Sequence, residues 1–583
     1  RWRGVAAVLG MLAASHACAG PRVAERLDAI DGADHAALED VVQSYEREVT
    51  PYVPFTASER GLREYDRVLA NDISEDYRRG LRAICARHRE ALRRVEAEAL
   101  SEPRRLTHDI FAHRLDGCLE RLDLPWHLLP VNQAGLSWPS RFPIVGSGKG
   151  AHPFKTAQNY EDFLGRIDGF VAWVDTAIAN MRTGMARGIT QPRDVMLRVV
   201  PQLQAQIVSD PRTSVFYDPI RTFPDGIDGD RRRTLAEAYE DAITRKIVPA
   251  YTRLLAFIRD EYLPRCRTSV GLGEMPGGRA MYAHAVRAAT TTSMTPDAIH
   301  DLGVAEVARI KAEMDRVRAA AAPAPPPTRY RSVAELLEGY TELRTSVEAA
   351  LPKLFGHLPR AGFEIRAIEP FRERSVPSGY EAASPDGARP GVFYLNIAEL
   401  RSSGQAAVHR HLFLHEALPG HHLQLSVQRE NTALPAFRRF GWHTAFGEGW
   451  ALYAEGLGVE LGVYDTPGAR LGMLHAELFR AARLVVDVGL HERRWTRAQA
   501  VEYLGGPGDD AEREVVRYMA WPAQALGYKI GQLAITRLRH EAERTLGPAF
   551  DVRAFHDELL RDGSMPLGIL EAKLRRWIAR HRR

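Results

Sequence analysis

Residues 415–422 read His415-Glu416-Ala417-Leu418-Pro419-Gly420-His421-His422. A histidine beside a glutamate, with further histidine close behind, is the residue set of hydrolytic zinc sites. Neutral imidazoles bind zinc at roughly 2.0–2.1 Å, and a catalytic site keeps one position for water. Glu416 would take the proton from that water, whose pKa the metal lowers to about 7. The spacing is not the usual four. His415 and His421 are six apart, so a regular helix would turn the second about 240° away from the first. Pro419 and Gly420 lie between them. An interior proline removes a backbone hydrogen bond and clashes with the preceding turn, so the helix is expected to break there and return His421 to the metal. His422 would come back to the first face, but about 10.5 Å along the axis. His421 is the favoured second imidazole and His422 the alternative. The one not used is expected behind the ligands or against substrate.

Two imidazoles need a third ligand. Glu448 and Glu455 lie in Phe446-Gly447-Glu448-Gly449-Trp450-Ala451-Leu452-Tyr453-Ala454-Glu455. Seven residues apart, they share a helix face. Acids among small and aromatic residues are not left buried without a partner. Glu448 is assigned as ligand, and Glu455 as the carboxylate that would orient a ligand histidine. A lone His-Glu pair carries no information; the weight comes from the cluster together with the second acidic helix. The His/His/Glu set favours one zinc per chain, although manganese and cobalt accept the same ligands.

The elements that must position these residues read as helices. Apolar residues recur at helical spacing over 21–125 (Leu38, Val41, Val42, Tyr45; Leu81, Ile84, Leu92, Val95) and again over 157–186, 191–209 and 231–263. Thr295-Pro296-Asp297 reads as a helix start, with the helix running to about Ala320. Residues 126–155 and 210–230, rich in Pro and Gly, are predicted loops. Only 362–400 has convincing β character, notably Phe363–Arg366 and Gly391–Asn396. From 405 onward the pattern is helical, with loops near 431–436, 463–467 and 505–510. The fold class is mainly α with a small sheet near the site. Residues 20–583 form one catalytic region, with a helical part 20–320, a proline-rich connector 321–328 and a metal-site part 329–583.

Composition excludes several alternatives. The chain has 583 residues, 45% hydrophobic and 26% charged, and a formal net charge of +4. That charge is dispersed beside acids, so no nucleic-acid stripe is present. Residues 1–19 read as a secretory signal peptide: Arg1 and Arg3, an apolar run Val5–Ala14, then Ala17-Cys18-Ala19. The protein is therefore expected to be exported, periplasmic or secreted, with lipid modification at Cys18 as the alternative and the only route to a membrane. Cys85, Cys118 and Cys266 imply no disulfide framework; one bond is allowed, but the sequence does not choose the pair.

At these motifs the chain resembles a bacterial family, the domain of unknown function 885. The resemblance rests on His415 through Gln424, on Gly447 through Glu455, on Arg389-Pro390-Gly391 running into Tyr394 and Asn396, on Ser378-Gly379-Tyr380, on Thr295-Pro296 with Ile299 and Leu302-Gly303, and on Pro522 through Gly531. It spans roughly residues 35–580. Ala523 and Gly527 depart from the expected Gly and Ser. The family in turn looks distantly like the helical zinc peptidases carboxypeptidase Taq, angiotensin-converting enzyme and thimet oligopeptidase. That likeness implies two helical halves around a deep channel, the metal helix on its floor and a β edge for the substrate backbone.

The same resemblance implies supporting residues. Tyr528, in Gln524-Ala525-Leu526-Gly527-Tyr528-Lys529, would stabilise the oxyanion. Arg517 and Lys529 are candidates for a substrate carboxylate. Tyr394 and Asn396 are candidates for the strand that pairs with extended substrate, and Tyr380 for a mobile loop closing over the site. The leading expectation is zinc-dependent hydrolysis of a peptide or other small amide, favouring short peptides. The alternatives are metal-dependent hydrolysis of an ester or modified amide, and a non-catalytic metal-binding protein. A serine hydrolase is disfavoured by the absence of G-x-S-x-G.

Overall fold

The computed structural model describes residues 21–582 except 135–136, 151, 322–327, 369–376 and 385–388; side chains are described from 34 onward, Asp509 excepted. The expected leader, Cys18, and most of the 321–328 connector lie outside the described residues.

The protein is mainly helical. Helix Pro21–Val49 buries Leu38, Val42, Tyr45 and Val49 on one stripe, the spacing of a single helix face. It packs with helices Glu75–Leu92 and Glu102–Asp123, which Cys85 and Cys118 join through a disulfide. Ser74 accepts from Tyr77 N at 3.2 Å and so caps helix Glu75–Leu92. Thr295 does the same for helix Pro296–Ala319, accepting from Ala298 N.

Three stretches differ from the sequence reading. The expected 126–155 loop contains helix Trp138–Gly146 despite Pro139 and Pro143. Pro139 falls in its first turn, where proline is tolerated. Phe142 inserts between Phe163 and Phe170, with ring centroids 5.4 and 4.3 Å away, and that burial overrides propensity. The expected 210–230 loop holds a short helix, Asp218–Arg221. The expected 231–263 helix runs as Gly229–Ala242, a π-turn Ile243–Ile247, then Val248–Phe257. Pro249 lacks the N–H that would bond residue 245, inside that π-turn.

The strands β1 (Phe363–Ala367), β2 (Gly379–Glu381) and β3 (Gly391–Leu395) form one sheet in the order β1-β3-β2. β1 runs parallel to β3, with Ile365 opposite Phe393, and β2 antiparallel, with Tyr380 opposite Phe393.

Two large cores organise the helices. One joins N-terminal residues such as Ile84 and Phe111 to Phe413, Trp450, Ile535 and Leu574. The other gathers residues 131–270 with Val486, Leu490, Val515 and Tyr518. Helix Pro467–His491 supplies Leu484 and Val488 to the first and Val486 and Leu490 to the second, so it stands between them.

Candidate metal centre

The residues of the 415–422 motif occupy two helices. Helix Arg410–Glu416 ends on Glu416, and helix His421–Glu430 begins on His421. Between them Ala417 (φ −102°, ψ −101°) and Gly420 (φ −74°, ψ −128°) leave helical geometry, and the Leu418–Pro419 peptide is cis. Trp450 Nε1 donates to Pro419 O at 2.9 Å and pins the turn from below. A Cβ at Gly420 would run into the carbonyl oxygens of His415 and Leu414, so the turn needs glycine for close approach.

Glu448 arrives on helix Thr444–Leu457, which crosses helix Leu526–Leu546 closely enough that a Cβ on Gly449 would strike Gly531. That crossing sets Tyr528 beside the same cavity as Glu448. Glu448 Oε2 lies 3.5 Å from His415 Nε2 and 3.4 Å from His421 Nε2. One donor atom from each of the three residues falls within 4.8 Å of the others. On the far side of the His415 ring, Nδ1 donates to Glu455 Oε1 at 2.8 Å, and Arg480 lies 3.5 Å from that same oxygen. The Tyr528 ring stacks on His415 at 6.2 Å, and the Arg483 guanidinium sits 4.8 Å from the Tyr528 ring centre. Arg483 is itself held by Tyr518 and Glu514.

The electrostatics follow from this packing. Burial disfavours charge on His415, but the Glu448 and Glu455 carboxylates beside it outweigh burial and raise its pKa to about 9. Burial likewise disfavours ionised Glu448, yet the two imidazoles hold its carboxyl well below the usual range. Burial pushes Glu416 and Tyr528 upward. Glu448 Oε2, His421 Nδ1 and Glu455 Oε2 are buried with no hydrogen-bond partner, an arrangement that is costly in a closed interior.

These residues fit a zinc ion. Two ligand atoms each about 2.1 Å from one ion at a tetrahedral angle lie about 3.4 Å apart, the separation found from Glu448 to each imidazole. The set of two imidazoles and one carboxylate leaves a fourth position for water. The hydrogen bond to Glu455 leaves Nε2 of His415 as the donor atom.

The other sequence-derived candidates separate clearly. His422 points away from Glu448: its Nδ1 meets the Tyr380 hydroxyl at 2.8 Å and its ring packs on Phe363 at 4.6 Å. Burial and Arg344 lower its pKa to about 4. Tyr380 lines the cavity but belongs to edge strand β2, not to a loop. Tyr394 was expected on a strand free to pair with substrate. It lies on β3, whose two edges are taken by β1 and β2, so no open edge is offered there. Asn396 follows β3, and its Oδ1 accepts from Ala398 N at 3.0 Å to start helix Ala398–Ser403. Arg517 donates to Gln524 Oε1 at 2.6 Å, and Gln524 to the Tyr528 hydroxyl at 3.4 Å, which places both behind Tyr528. Lys529 has no route to a substrate: it is fully buried and closed by Glu306, Glu477 and Gln532 at 2.6–2.9 Å.

The cavity over this cluster measures about 360 Å³ and is lined by Gly379, Tyr380, His415, Glu416, His421, Leu425, Trp442, Glu448 and Tyr528. Sequence reasoning missed Leu425, Trp442, Arg480 and Arg483. The two arginines had a signal, since they interrupt the apolar run Leu478-Phe479-Arg480-Ala481-Ala482-Arg483-Leu484-Val485-Val486, where an unpaired cation would not be buried.

Comparison with known proteins gives fold and family. A Colwellia psychrerythraea protein described as a "putative lipoprotein" matches with TM-score 0.85 and 26% identity, over 94% of this chain and 99% of that one. A Shewanella oneidensis protein described as a "putative lipoprotein of unknown function" shares the fold, with TM-score 0.66 and 17% identity over 92% and 99% of the two chains. No curated protein matches. The family described as "Bacterial protein of unknown function (DUF885)" matches residues 54–574, and the chain belongs to that family.

Proposed function

We propose that this protein is an exported zinc-dependent hydrolase that cleaves peptide bonds in short peptides. One observation carries the reading: Glu448 Oε2 stands 3.5 and 3.4 Å from the Nε2 atoms of His415 and His421, with the glutamate of a general base, Glu416, in the same cavity. Bound zinc would acidify a water and polarise the substrate carbonyl. Glu416 would accept the water proton and pass it to the departing amine. Tyr528 would donate its hydroxyl hydrogen to the developing oxyanion, with Gln524 and Arg517 fixing the phenol behind it. Glu455 and Arg480 would hold the His415 ring. A cavity of about 360 Å³ suits a few residues of peptide rather than a folded protein.

Export is supported by the leader-like start, by the Cys85–Cys118 bond, which suits an oxidising compartment, and by the similar Colwellia psychrerythraea protein described as a "putative lipoprotein". A lipid at Cys18 would provide a tether. Among the described residues no helix is long and apolar enough to cross a membrane.

The test is metal analysis of purified protein beside Glu448→Ala, followed by a short-peptide library with Glu416→Gln as the inactive control. About one zinc per chain, lost in Glu448→Ala, together with cleavage lost in Glu416→Gln, is the expected result. Protein that stays metal-free after purification without chelators, or cleavage that persists in Glu416→Gln, would overturn the reading.

A further inference from the structure

The cavity has two unlike sides. His415, Glu416, His421, Glu448 and Tyr528 make the chemical side; Leu425 and Trp442, with Tyr380 and Gly379, make the other. Among the described residues its only ionisable carboxyls are Glu416 and Glu448, both on the chemical side, and no lysine or arginine of that set lines it. Trp442 is 43% exposed, unusual for an indole in a core-rich helical protein. Its ring centroid lies 5.7 Å from that of His421, so whatever covers the indole sits next to the reacting centre.

The indole is held rather than loose. Its ring lies across Gly447, where any Cβ would collide with it. The backbone on either side is anchored: Gly441 O accepts from buried Gln428 Nε2 at 2.8 Å, and His443 N donates to Ser564 Oγ at 2.9 Å. Gln428 also accepts from Ser564 N at 3.0 Å, tying the two anchors together. A rigid, solvent-facing aromatic beside an uncharged wall is a platform for an apolar group, because stacking or burial there removes area from water with no ordering cost to the protein.

We infer that Trp442, with Leu425, forms a subsite that selects a large uncharged side chain, aromatic or aliphatic, on the residue flanking the scissile bond. The inference rests on reading the site as a peptide hydrolase. The competing occupant of an exposed indole is a cation, which the experiment includes.

Zinc-loaded full-length protein, as wild type, Trp442→Ala and Trp442→Phe, is assayed on short peptides that differ only in that residue: Phe, Leu, Ala, Lys or Glu. Wild type is expected to favour Phe and Leu over Ala, Lys and Glu in kcat/KM by about ten- to a hundredfold. Trp442→Ala should collapse that ratio to about threefold or less, and Trp442→Phe should retain most of it. Equal proportional losses on every peptide in Trp442→Ala, or a wild-type preference for Lys, would overturn the inference. Calorimetric binding of the same peptides to zinc-loaded Glu416→Gln, with and without Trp442→Ala, separates the two claims. Selective binding of Phe and Leu peptides that depends on Trp442, when the zinc-loaded wild type cleaves none of them, would sink hydrolysis and leave the subsite standing. No selectivity in either cleavage or binding would remove the subsite whatever becomes of hydrolysis.

Discussion

Glu455 Oε1 lies 2.8 Å from His415 Nδ1, and that contact decides which face of the His415 ring meets Glu448. A carboxylate accepts only from a protonated nitrogen, so Nδ1 carries a hydrogen toward Glu455 and Nε2 is the ring nitrogen that faces Glu448, 3.5 Å away. Burial works against the charge of Glu455, but Arg480 and His415 outweigh it and lower its pKa. Glu455 therefore stays an anion able to hold the ring.

Replacing Glu455 with Ala should loosen that ring without removing a ligand atom. Carboxylates that hold a metal-ligating histidine are worth about 10- to 100-fold in metal affinity. The expected outcome is a zinc dissociation constant raised by that factor, read by competition with a chromophoric chelator. An unchanged affinity in Glu455→Ala would mean that packing alone orients His415.

Gly420 makes a different demand. Its Cβ position is filled by the carbonyl oxygens of His415 and Leu414, so Gly420→Ala must push the start of helix His421–Glu430 away from the end of helix Arg410–Glu416. His421 is the first residue of that second helix and would move with it. Zinc affinity should fall about tenfold or more, as for loss of an orienting group, while far-ultraviolet circular dichroism stays near wild type. A fully zinc-loaded Gly420→Ala with unchanged thermal midpoint would mean that the turn relaxes at no cost to the site.

These two residues also mark what the sequence makes legible. Pro419-Gly420 signals a helix break locally, and two acids seven apart share a helix face whatever surrounds them. Both are consequences of short-range geometry. The choice between His421 and His422 is not local: it depends on β2 delivering Tyr380 to His422. Lys529 looks like a free cation until Glu306 and Glu477, both distant in the chain, close over it. Strand character at Gly391–Leu395 is readable from composition, but its central place in the sheet is not. The helix Trp138–Gly146 is hidden by its own prolines and made by the stacking of Phe142 on Phe170. In each case a long-range contact overrides the local pattern.

The pairing of Cys85 with Cys118 is another long-range choice, and it can be tested chemically. The bond ties helix Glu75–Leu92 to helix Glu102–Asp123 across a separation of 33 residues. Closing a loop of that length restricts the unfolded chain by about 3–4 kcal/mol. A non-reduced digest should yield one linked Cys85–Cys118 peptide, with Cys266 free. Cys118→Ser should lower the thermal midpoint, and added reductant should lower the wild type toward it. Linkage of Cys266 to either partner would contradict this pairing.

Asp487 gives a pH prediction that stands apart from the candidate metal site. Burial raises its carboxyl to about 7 even though Tyr282 and the Ala523 N–H both reach it, at 2.7 and 3.1 Å. An unfolded aspartate titrates near about 3.9. Between those values the native state keeps a proton that the unfolded chain has lost. The contribution is thus fully present below about pH 4 and is lost as pH rises through about 7, with a limiting slope of about 1.4 kcal/mol per pH unit. Asp487→Asn keeps the shape and removes the titration. Buried histidines such as His491 and His556, whose pKa values are lowered to about 3 and about 4, produce the opposite slope over part of this range. They do so equally in both proteins, so the informative quantity is the difference between them. Wild type should lose stability relative to Asp487→Asn steadily from pH 4 to pH 7, measured as the gap in thermal midpoint at each pH. A constant gap would mean that Asp487 is ionised in the fold, held by Tyr282 and Ala523 strongly enough to offset its burial.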